Sequence, residues 1–437
     1  MPPDVMEMES DGSKRKYGNQ EEEMKQKRQS PRAAKPAAKP EAPPPGDEKI
    51  KQPAPELPAV RWVNQLIIRA IREQASDIHV EPTREGLSMR FRVDGVLHTV
   101  VAPQKVPASE ILSRIKAMAR ISAGESAQDG RYGAIVDGRE IDFRVSIFPT
   151  TYGEAAVMRV LDRIRLLPLD QLGFSPTALK LTRDLIARPH GMVLVTGPGG
   201  SGKTSTLYAI LNGLSNEKVN TITIEDPVEF DLDHVRQTQV NPRAGYTYPV
   251  ALGKVLRQDP DVIMLGGVRD AEVAGGAFRA ALTGRLVFST MHADDAAETV
   301  TRLVDMGVEP FLVAKGLEGV IAQRLVRTIC PACKHSYEPG LGEKATLGLK
   351  PGQKLYKGRG CTECHGTGYK GRTGIFEVLP ITDDIRDLVA TRPHAKAVRD
   401  LAYKPGVATM VEDGLEKVKE GITTIDEVAR VTGRLKR

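Results

Sequence analysis

The sequence predicts an α/β protein in which a small mixed domain is followed by a wound sheet of parallel strands. Short apolar segments that begin at residues 192, 221, 262 and 285 alternate with helical patterns, as strands do when crossover helices join them. A glycine-rich run follows the first of these strands, at the end of the sheet where wound folds bind their ligands. Two C-x-x-C pairs late in the chain indicate a further small unit.

The first 58 residues have the composition of a disordered tail. They hold 11 of the 30 prolines, few apolar residues, and 11 basic against 11 acidic residues. Such a segment cannot bury enough apolar surface to offset the entropy of ordering it. We therefore expect a tail rich in Pro, Lys and Glu over residues 1–58, which is either passive or a tether.

Charge and hydropathy limit the functions open to the chain. Because the tail is neutral, the net charge of +6 lies wholly in the remainder, where it permits nucleic acid or acidic lipid as a partner without requiring either. No segment approaches the ~18 apolar residues of a membrane span, and the N-terminus lacks the apolar core of a signal peptide. We expect a cytoplasmic protein that can lie peripheral to a membrane.

The first folded domain is predicted over residues 59–162, because helical and strand patterns mix there. Two amphipathic helices are expected, one beginning near Val60 and one over 108–121. The predicted strands cover residues 76–80, 87–93, 96–101, 132–136 and 140–147. A linker at 163–170 leads into a larger domain over 171–437.

The most specific motif is a phosphate-binding loop, G-x-x-x-x-G-K-[ST], between a predicted strand and a predicted helix. Its glycines let backbone N–H groups point at a phosphate, and the helix N-terminus adds partial positive charge. Lys203 would neutralise the β- and γ-phosphates of a nucleoside triphosphate, and Thr204 would hold Mg²⁺. The residues expected to contact ATP are Gly197, Gly199, Gly200, Ser201, Gly202, Lys203, Thr204 and Ser205.

The carboxyl ends of the other strands carry further candidate residues. The strand at 221 ends in Glu225 and Asp226, and a carboxylate at this edge can orient and deprotonate a water molecule. The strand at 285 ends in Ser289 and Thr290 and leads to His292, and any of these three could contact the γ-phosphate and report its loss. The strand at 262 ends in Gly266 and Gly267, where a P-loop ATPase is expected to have an acid for Mg²⁺. One expected carboxylate is therefore missing.

The four cysteines of the chain form two C-x-x-C pairs, which favour a structural zinc site with tetrahedral thiolate ligands. A reduced thiol cluster is one alternative, and a redox motif is another, although that motif needs one pair at a helix start. We expect a zinc subdomain over 330–375, followed by short helices over 382–433. The proposed ligands are Cys330, Cys333, Cys361 and Cys364.

Together these motifs resemble the type II secretion and type IV pilus assembly ATPases, and the resemblance covers about residues 59–436. It rests on many matches in the same order as in that family, beside the phosphate loop and the cysteines. They are ASDIHVEP from residue 75, QDGR from 128, DFRVS from 142, TIEDPVE from 223, LRQDPD from 256, STMHADDA from 289, QRLVR from 323, and the Asp413-Gly414 and Thr423-Thr424 pairs.

The resemblance implies a small PAS-like domain, then a RecA-like P-loop ATPase domain with a zinc-knuckle insertion and a helical C-terminal part. It implies a homohexameric ring with ATP at the subunit boundaries. Glu225 would be the general base, His292 the histidine-box residue, and Arg131 and Arg144 arginines that approach the triphosphate. Family members move an inner-membrane platform protein, which adds pilin or pseudopilin subunits to a fibre.

The chain departs from the family at three points. Gly267 replaces the glutamate that ends the Walker B motif, Gly275-Gly276 lies where the family has an ordinary helix, and only the predicted tail precedes residue 59. The tetracysteine motif is nevertheless of the secretion and extension kind.

Gly267 raises an alternative function, a nucleotide-binding subunit with poor hydrolysis that regulates or scaffolds a ring. A nucleic-acid translocase ranks last, because aromatics are only 5% and no base-stacking motif is present, so we expect no stable nucleic-acid partner.

Overall fold

The computed structural model describes residues 57–102, 106–122, 127–162, 166–229, 231–403 and 407–433. These residues belong to one compact unit that begins at Glu56. The predicted tail lies outside the described residues apart from Leu57 and Pro58. The first part of the predicted linker, residues 163–165, also lies outside them.

A six-stranded antiparallel sheet and two helices form the first part of this unit. The helices are α1 (Pro58–Arg72) and α2 (Ala108–Met118), and the strands are β1 (Asp77–Thr83), β2 (Gly86–Val93), β3 (Val96–Val100), β4 (Gln128–Val136), β5 (Arg139–Thr150) and β6 (Gly153–Asp162). The strand order is β3-β2-β1-β6-β5-β4. Alternate side chains of the strands are buried with the apolar faces of both helices, so the opposite sheet face is left to polar residues.

A seven-stranded sheet forms the centre of the larger part, in the order β15-β12-β7-β11-β10-β8-β9. The strands from β12 to β9 run parallel, and the edge strand β15 is antiparallel to β12. The strands are β7 (Gly191–Thr196), β8 (Thr221–Glu225), β9 (Val235–Gln239), β10 (Val262–Leu265), β11 (Leu286–Met291), β12 (Leu317–Ile329) and β15 (Tyr369–Pro380). The wound α/β class predicted from the sequence is therefore confirmed.

Helices cover this sheet, and their apolar residues complete two clusters of buried side chains. Those within the wound part are α3 (Pro176–Ile186), α4 (Lys203–Leu214), α5 (Tyr248–Val255), α6 (Ala271–Leu282), α7 (Ala296–Asp305) and α8 (Pro310–Gly316). The helices that follow β15 are α10 (Asp383–Ala390), α11 (Ala395–Ala402), α12 (Met410–Lys419) and α13 (Ile425–Thr432). The short helices expected after residue 382 are thus present.

Helix α6 contains Gly275 and Gly276 without interruption. A Cβ on Gly276 would lie 2.9 Å from Cδ2 of Leu252 in α5. The glycine therefore permits a close approach of the two helices, which offsets part of its unfavourable helix propensity.

The cysteine segment is an excursion between two paired strands. Strand β12 ends at Ile329 and pairs there with Tyr369, the first residue of β15. Between them lie a small hairpin of β13 (Lys334–Tyr337) and β14 (Leu355–Gly358), and helix α9 (Leu341–Leu347). The zinc subdomain predicted over 330–375 therefore extends too far, because its last residues belong to the central sheet.

Within the described residues, no helix combines the length and the apolar composition that crossing a membrane requires.

Candidate nucleotide site and tetracysteine cluster

The phosphate-binding loop joins β7 to α4 at the carboxyl edge of the central sheet. Gly197, Gly200 and Gly202 have φ values of +151°, +74° and +89°, a backbone that residues with a Cβ rarely adopt. A Cβ on Gly197 would also lie 2.5 Å from Oγ of Ser201. The Ser201 hydroxyl is buried and has no hydrogen-bond partner among the described residues, which suits a group that awaits a phosphate oxygen.

Lys203 lies at the start of α4 with its ammonium group folded back over the loop. Its Nζ donates to the carbonyl oxygens of Gly197 at 2.8 Å and Pro198 at 2.9 Å. Burial, with the nearby charge of Arg324, lowers the pKa of Lys203 to about 8. A phosphate would relieve both effects, since an anion favours the charged amine.

Glu229 is the carboxylate that lies beside the proposed magnesium residue. Its carboxylate lies close enough to Thr204, the residue after Lys203 at the start of α4, for the two side chains to interact. Burial raises the pKa of Glu229, and the interaction with Thr204 opposes that shift. A carboxylate with a raised pKa next to the site is a suitable proton acceptor for water. The sequence analysis quoted Glu229 only as part of the TIEDPVE motif.

Glu225 occupies a different environment from the one expected of a general base. Its side chain is buried, and its two oxygens accept hydrogen bonds from Tyr208, from Thr223 at 2.6 Å and from Gln237 at 3.0 Å. These donors tie the carboxylate to β8, β9 and α4. The geometry therefore favours Glu229 over Glu225 for the base role, because a base must reach the water that it deprotonates.

His292 lies beside the phosphate-binding loop, as the position of its strand end predicts. The positive charge of Lys203, then burial, lowers its pKa, while a hydrogen bond with the backbone of Gly197 opposes the shift. The neighbouring backbone is held as well, since the Gly197 N–H donates to the Met291 carbonyl at 3.3 Å. An imidazole in this place can contact a group bound by the loop.

The end of β10 offers no side chain to this site. A Cβ on Gly267 would lie 3.3 Å from Oγ1 of Thr290, whereas one on Gly266 would lie 2.8 Å from the Tyr248 hydroxyl. Of these two positions, Gly267 is the one that can take a larger residue, provided that Thr290 shifts by a few tenths of an ångström. The next acid along the chain, Asp270, accepts a hydrogen bond from the Val273 N–H at 2.9 Å as the N-cap of α6.

The small domain faces the loop through residues other than those predicted. A cleft of about 560 Å³ lies between the phosphate-binding loop and the antiparallel sheet, and Asp77, Arg92 and Arg159 line its sheet side. Arg131 and Arg144 are exposed and do not line this cleft within one chain. They belong to the same row of the sheet, however, since Arg131 pairs with Arg144 and Arg144 with Arg159.

Arg159 is the arginine of this row that points towards the loop. Its Nε lies 2.9 Å from Oδ1 of buried Asp77, and its charge lowers the pKa of Glu229 against the effect of burial. The sequence signal for it was weak, because β6 was not predicted as a strand and Arg159 could not be placed on its face.

The four cysteines meet in one cluster, with their sulfur atoms all within 4.8 Å of one another. Three of the Sγ–Sγ distances are 3.7, 3.8 and 3.9 Å. Four sulfurs at ~2.3 Å from a central zinc have tetrahedral edges of about 3.8 Å, so the residues fit this ion. Backbone N–H groups of Cys361 and Gly368 point at the Cys364 sulfur and, against the effect of burial, lower the pKa of this thiol to about 6.

The fold and the site together define a RecA-like P-loop protein with a tetracysteine insertion. The family model described as "Type II/IV secretion system protein" matches residues 53–430. The chain belongs to this family.

Two curated relatives and one solved structure illustrate the similarity. The type II secretion system protein E of Pseudomonas aeruginosa is 46% identical over 393 residues, which cover 89% of this chain and 78% of that protein. The type IV pilus assembly ATPase PilB of Thermus thermophilus is 43% identical over 391 residues, 87% of this chain and 44% of that protein. The pilus retraction motor PilT, solved with bound ADP, superposes with a TM-score of 0.58 at 25% identity over 85% of this chain and 97% of that one.

Proposed function

We propose that this protein is an ATPase that powers assembly of a type II secretion pseudopilus or a type IV pilus at the inner membrane. The observation that carries the proposal is the grouping of Lys203, Thr204, Glu229 and His292 around one phosphate-binding loop. Family membership supplies the transport role, since the relatives are named as secretion and pilus assembly proteins.

The residues of the chain divide the work of hydrolysis among them. Loop N–H groups and Lys203 would bind the phosphates, and Thr204 would hold Mg²⁺, which neutralises phosphate charge when it is bound. Glu229 would orient water and take its proton. His292 would contact the γ-phosphate and respond to its loss.

In a homohexameric ring, the paired arginines Arg131, Arg144 and Arg159 would have a function. In such a ring ATP lies at subunit boundaries, and the exposed guanidinium groups of Arg131 and Arg144 would reach the site of an adjacent subunit. Arg159 would act in its own chain, because it already lines the cleft. The platform protein of the inner membrane would be the partner that converts domain movement into fibre growth, with the protein itself cytoplasmic and peripheral to the membrane.

A second candidate function follows from Gly267. The described residues place no carboxylate at the end of β10, so magnesium would be held with one acidic group fewer than a P-loop ATPase expects. A subunit of this kind binds nucleotide, hydrolyses it slowly, and regulates or scaffolds a ring that contains active paralogues.

Phosphate release by the full chain with ATP and Mg²⁺, measured with and without its platform protein, separates these functions. Rapid release that the platform protein stimulates supports the motor. Tight ATP binding with negligible release, in the presence of the platform protein, supports the regulatory subunit. A chain that does not bind ATP would contradict both proposed functions.

Zinc is proposed as the ion of the tetracysteine cluster. Its role would be structural, because four thiolates leave no open position for catalysis. Metal analysis of reduced, anaerobically purified protein should give one zinc per chain, and Cys361→Ser should lower this content. Protein that is folded and fully reduced but free of zinc would contradict the assignment.

A further inference from the structure

The loop that carries His292 is held at both ends, and its two anchors belong to different parts of the molecule. Residues 292–295 join β11 to α7. At the first end, the Met291 carbonyl accepts hydrogen bonds from the Gly197 N–H and from the Thr196 hydroxyl at 3.2 Å. This end is therefore tied to the phosphate-binding loop.

Glu377 of β15 forms the anchor at the other end. Its side chain is 3% exposed. Oε1 accepts hydrogen bonds from the Ala296 N–H at 2.9 Å and the Tyr403 hydroxyl at 2.8 Å, and Oε2 accepts one from the Met410 N–H at 3.2 Å. One carboxylate thus joins the first residue of α7 to the residue that follows α11 and to the first residue of α12.

An ion pair reinforces this anchor from α11. Arg399 donates to Oδ2 of Asp295 from Nη2 at 2.6 Å and from Nε at 3.1 Å. The other oxygen of Asp295 accepts the Glu298 N–H at 2.8 Å and so caps α7. Asp295 is three residues from His292, so a shift of α11 relative to the central sheet would be transmitted directly to the loop.

We propose that Glu377 and the Asp295–Arg399 pair are positioning residues for His292, through which the C-terminal helices α11 and α12 control the placement of the imidazole over the phosphate-binding loop. The inference rests on the proposed contact of His292 with the γ-phosphate. It assigns the C-terminal helices a part in nucleotide sensing, because rotation of α11 or α12 changes contacts that end three or four residues from the imidazole.

Among the described residues, the surroundings of the anchor include an open cleft. A cleft of about 730 Å³ lies beside the anchor, and its lining includes Glu377, Arg399, Tyr403 and Met410. Arg324 lines the same cleft, and its Nη2 donates a hydrogen bond to the Asp294 carbonyl at 3.0 Å. The charge of Arg324 also contributes to the lowered pKa of Lys203. Arg324 thus connects the surroundings of the anchor with those of the phosphate-binding loop.

Glu377→Gln tests the proposal with little change in volume. A carboxamide has one acceptor oxygen and one donor group, so it cannot serve Ala296, Tyr403 and Met410 at once. Either α12 or the start of α7 loses its partner. Arg399→Ala breaks the ion pair, and Tyr403→Phe removes a single donor and serves as the mildest variant if Glu377→Gln fails to fold.

The primary measurement is the pKa of the His292 imidazole in the nucleotide-free full chain, by NMR with labelled histidine and assignment through His292→Gln. The charges of Lys203, Arg302 and Arg269 face this group and hold its pKa low. In Glu377→Gln and Arg399→Ala we expect the pKa to rise towards the ordinary value of about 6.5, because the imidazole moves away from Lys203. Tyr403→Phe should give a smaller rise.

Glu427→Gln is the matched control. Glu427 is 1% exposed and joins α13 to β12, accepting the Arg327 N–H at 3.0 Å and Nη2 of Arg327 at 2.8 Å, and α13 has no part in the proposed anchor. The pKa of His292 in this variant should equal that of the parent. An unchanged pKa in Glu377→Gln and Arg399→Ala, or an equal rise in Glu427→Gln, would overturn the proposal.

Steady-state kinetics supply a second test. In Glu377→Gln we expect kcat to fall about tenfold with KM within about twofold, the pattern of an interaction realised in the transition state. A rise in KM with kcat unchanged would contradict a positioning role. Because the imidazole titration needs no nucleotide, absence of ATP turnover in the parent would refute the proposed function and leave this test of the anchor intact.

Discussion

The ends of β8 and β10 lie side by side in the central sheet and differ in what they present to the nucleotide. The strands pair in parallel, with Leu265 opposite Ile224, and the Gly266 N–H donates to the Ile224 carbonyl at 2.8 Å. The turn after β8 brings Glu229 to Thr204, whereas β10 ends in glycines. Two neighbouring strand ends can thus share their backbone geometry while only one of them is followed by a carboxylate near the phosphate-binding loop.

The same comparison separates two acids of one motif. Glu225 ends β8, and its carboxylate accepts hydrogen bonds from buried donors. Glu229 lies four residues later and is close to Thr204 of the candidate nucleotide site. The carboxylate of Glu225 is therefore occupied by hydrogen bonds from buried donors, whereas the carboxylate of Glu229 is the one proposed to take the proton from water.

The sharpest test of that distinction is Glu229→Gln against Glu225→Gln. Removing a general base costs about 10²- to 10⁴-fold in rate, so Glu229→Gln should abolish most phosphate release while ATP affinity is retained. Glu225→Gln should instead lower the free energy of unfolding by about 1–3 kcal/mol, because buried donors lose their acceptor. Phosphate release and thermal unfolding should be measured for both variants. Each variant should be made in the parent chain and in the chain that carries Gly267→Glu. A thermally stable Glu225→Gln that loses turnover, beside an active Glu229→Gln, would reverse the assignment.

Gly267→Glu should restore the missing chemistry at the end of β10. We expect hydrolysis to rise by about tenfold to a thousandfold, in keeping with one preorganised electrostatic element. A modest shift of Thr290 makes room for the side chain, since its hydroxyl lies 3.3 Å from the Cβ position. Gly267→Gln is the control of equal size without charge. If the parent and Gly267→Glu are equally fast in assembled rings, another residue already does this work.

Lys203→Ala tests the part of the site that both strand ends depend on. Removing the cation should weaken ATP binding at least about tenfold, equivalent to ~1.4 kcal/mol. Calorimetry measures this directly, with Lys180→Ala as a control, because Lys180 forms an exposed i,i+4 ion pair with Asp184 in α3. Unchanged affinity in Lys203→Ala would refute the assignment of the phosphate-binding loop.

The pH dependence of ATP binding should be the smallest of these effects. The pKa of Lys203 is about 8 in the nucleotide-free protein, and bound phosphate raises it. Affinity should therefore be constant below pH 8 and fall above it, by up to about tenfold per pH unit, as binding takes up a proton. Lys203→Arg should remove this fall, since arginine stays protonated. A parent profile that is flat to pH 9.5 would show that Lys203 is not the titrating group.

The sequence was sufficient for features that depend on local pattern. The phosphate-binding loop, the strand before it, the helix after it and the cysteine cluster need only the spacing of glycines, apolar residues and thiols. Strand β9, with the sequence VRQTQ, was missed, because it has few apolar residues and reaches the sheet only through pairing with β8. The choice between Glu225 and Glu229 was likewise out of reach, since it depends on Tyr208 and Gln237 arriving from other elements.

The small domain shows the same limit. Its predicted arginines are the outer members of a row whose inner member, Arg159, reaches the cleft. No residue-level signal orders three arginines by distance to a ligand, because the order depends on which strands are neighbours. Strand order is set by long-range pairing, which periodicity along the chain does not report.

Ile329 and Tyr369 close the base of the tetracysteine excursion as neighbours across two strands. The chain thus leaves the sheet at Ile329 and returns to it at the paired residue, Tyr369. A tight turn in place of residues 330–368 would therefore be compatible with the pairing of β12 and β15. Leu347 and Leu355 of the excursion are nevertheless buried in the same apolar cluster as the central sheet. A different module grafted at this junction would have to cover the apolar surface that these two side chains now cover.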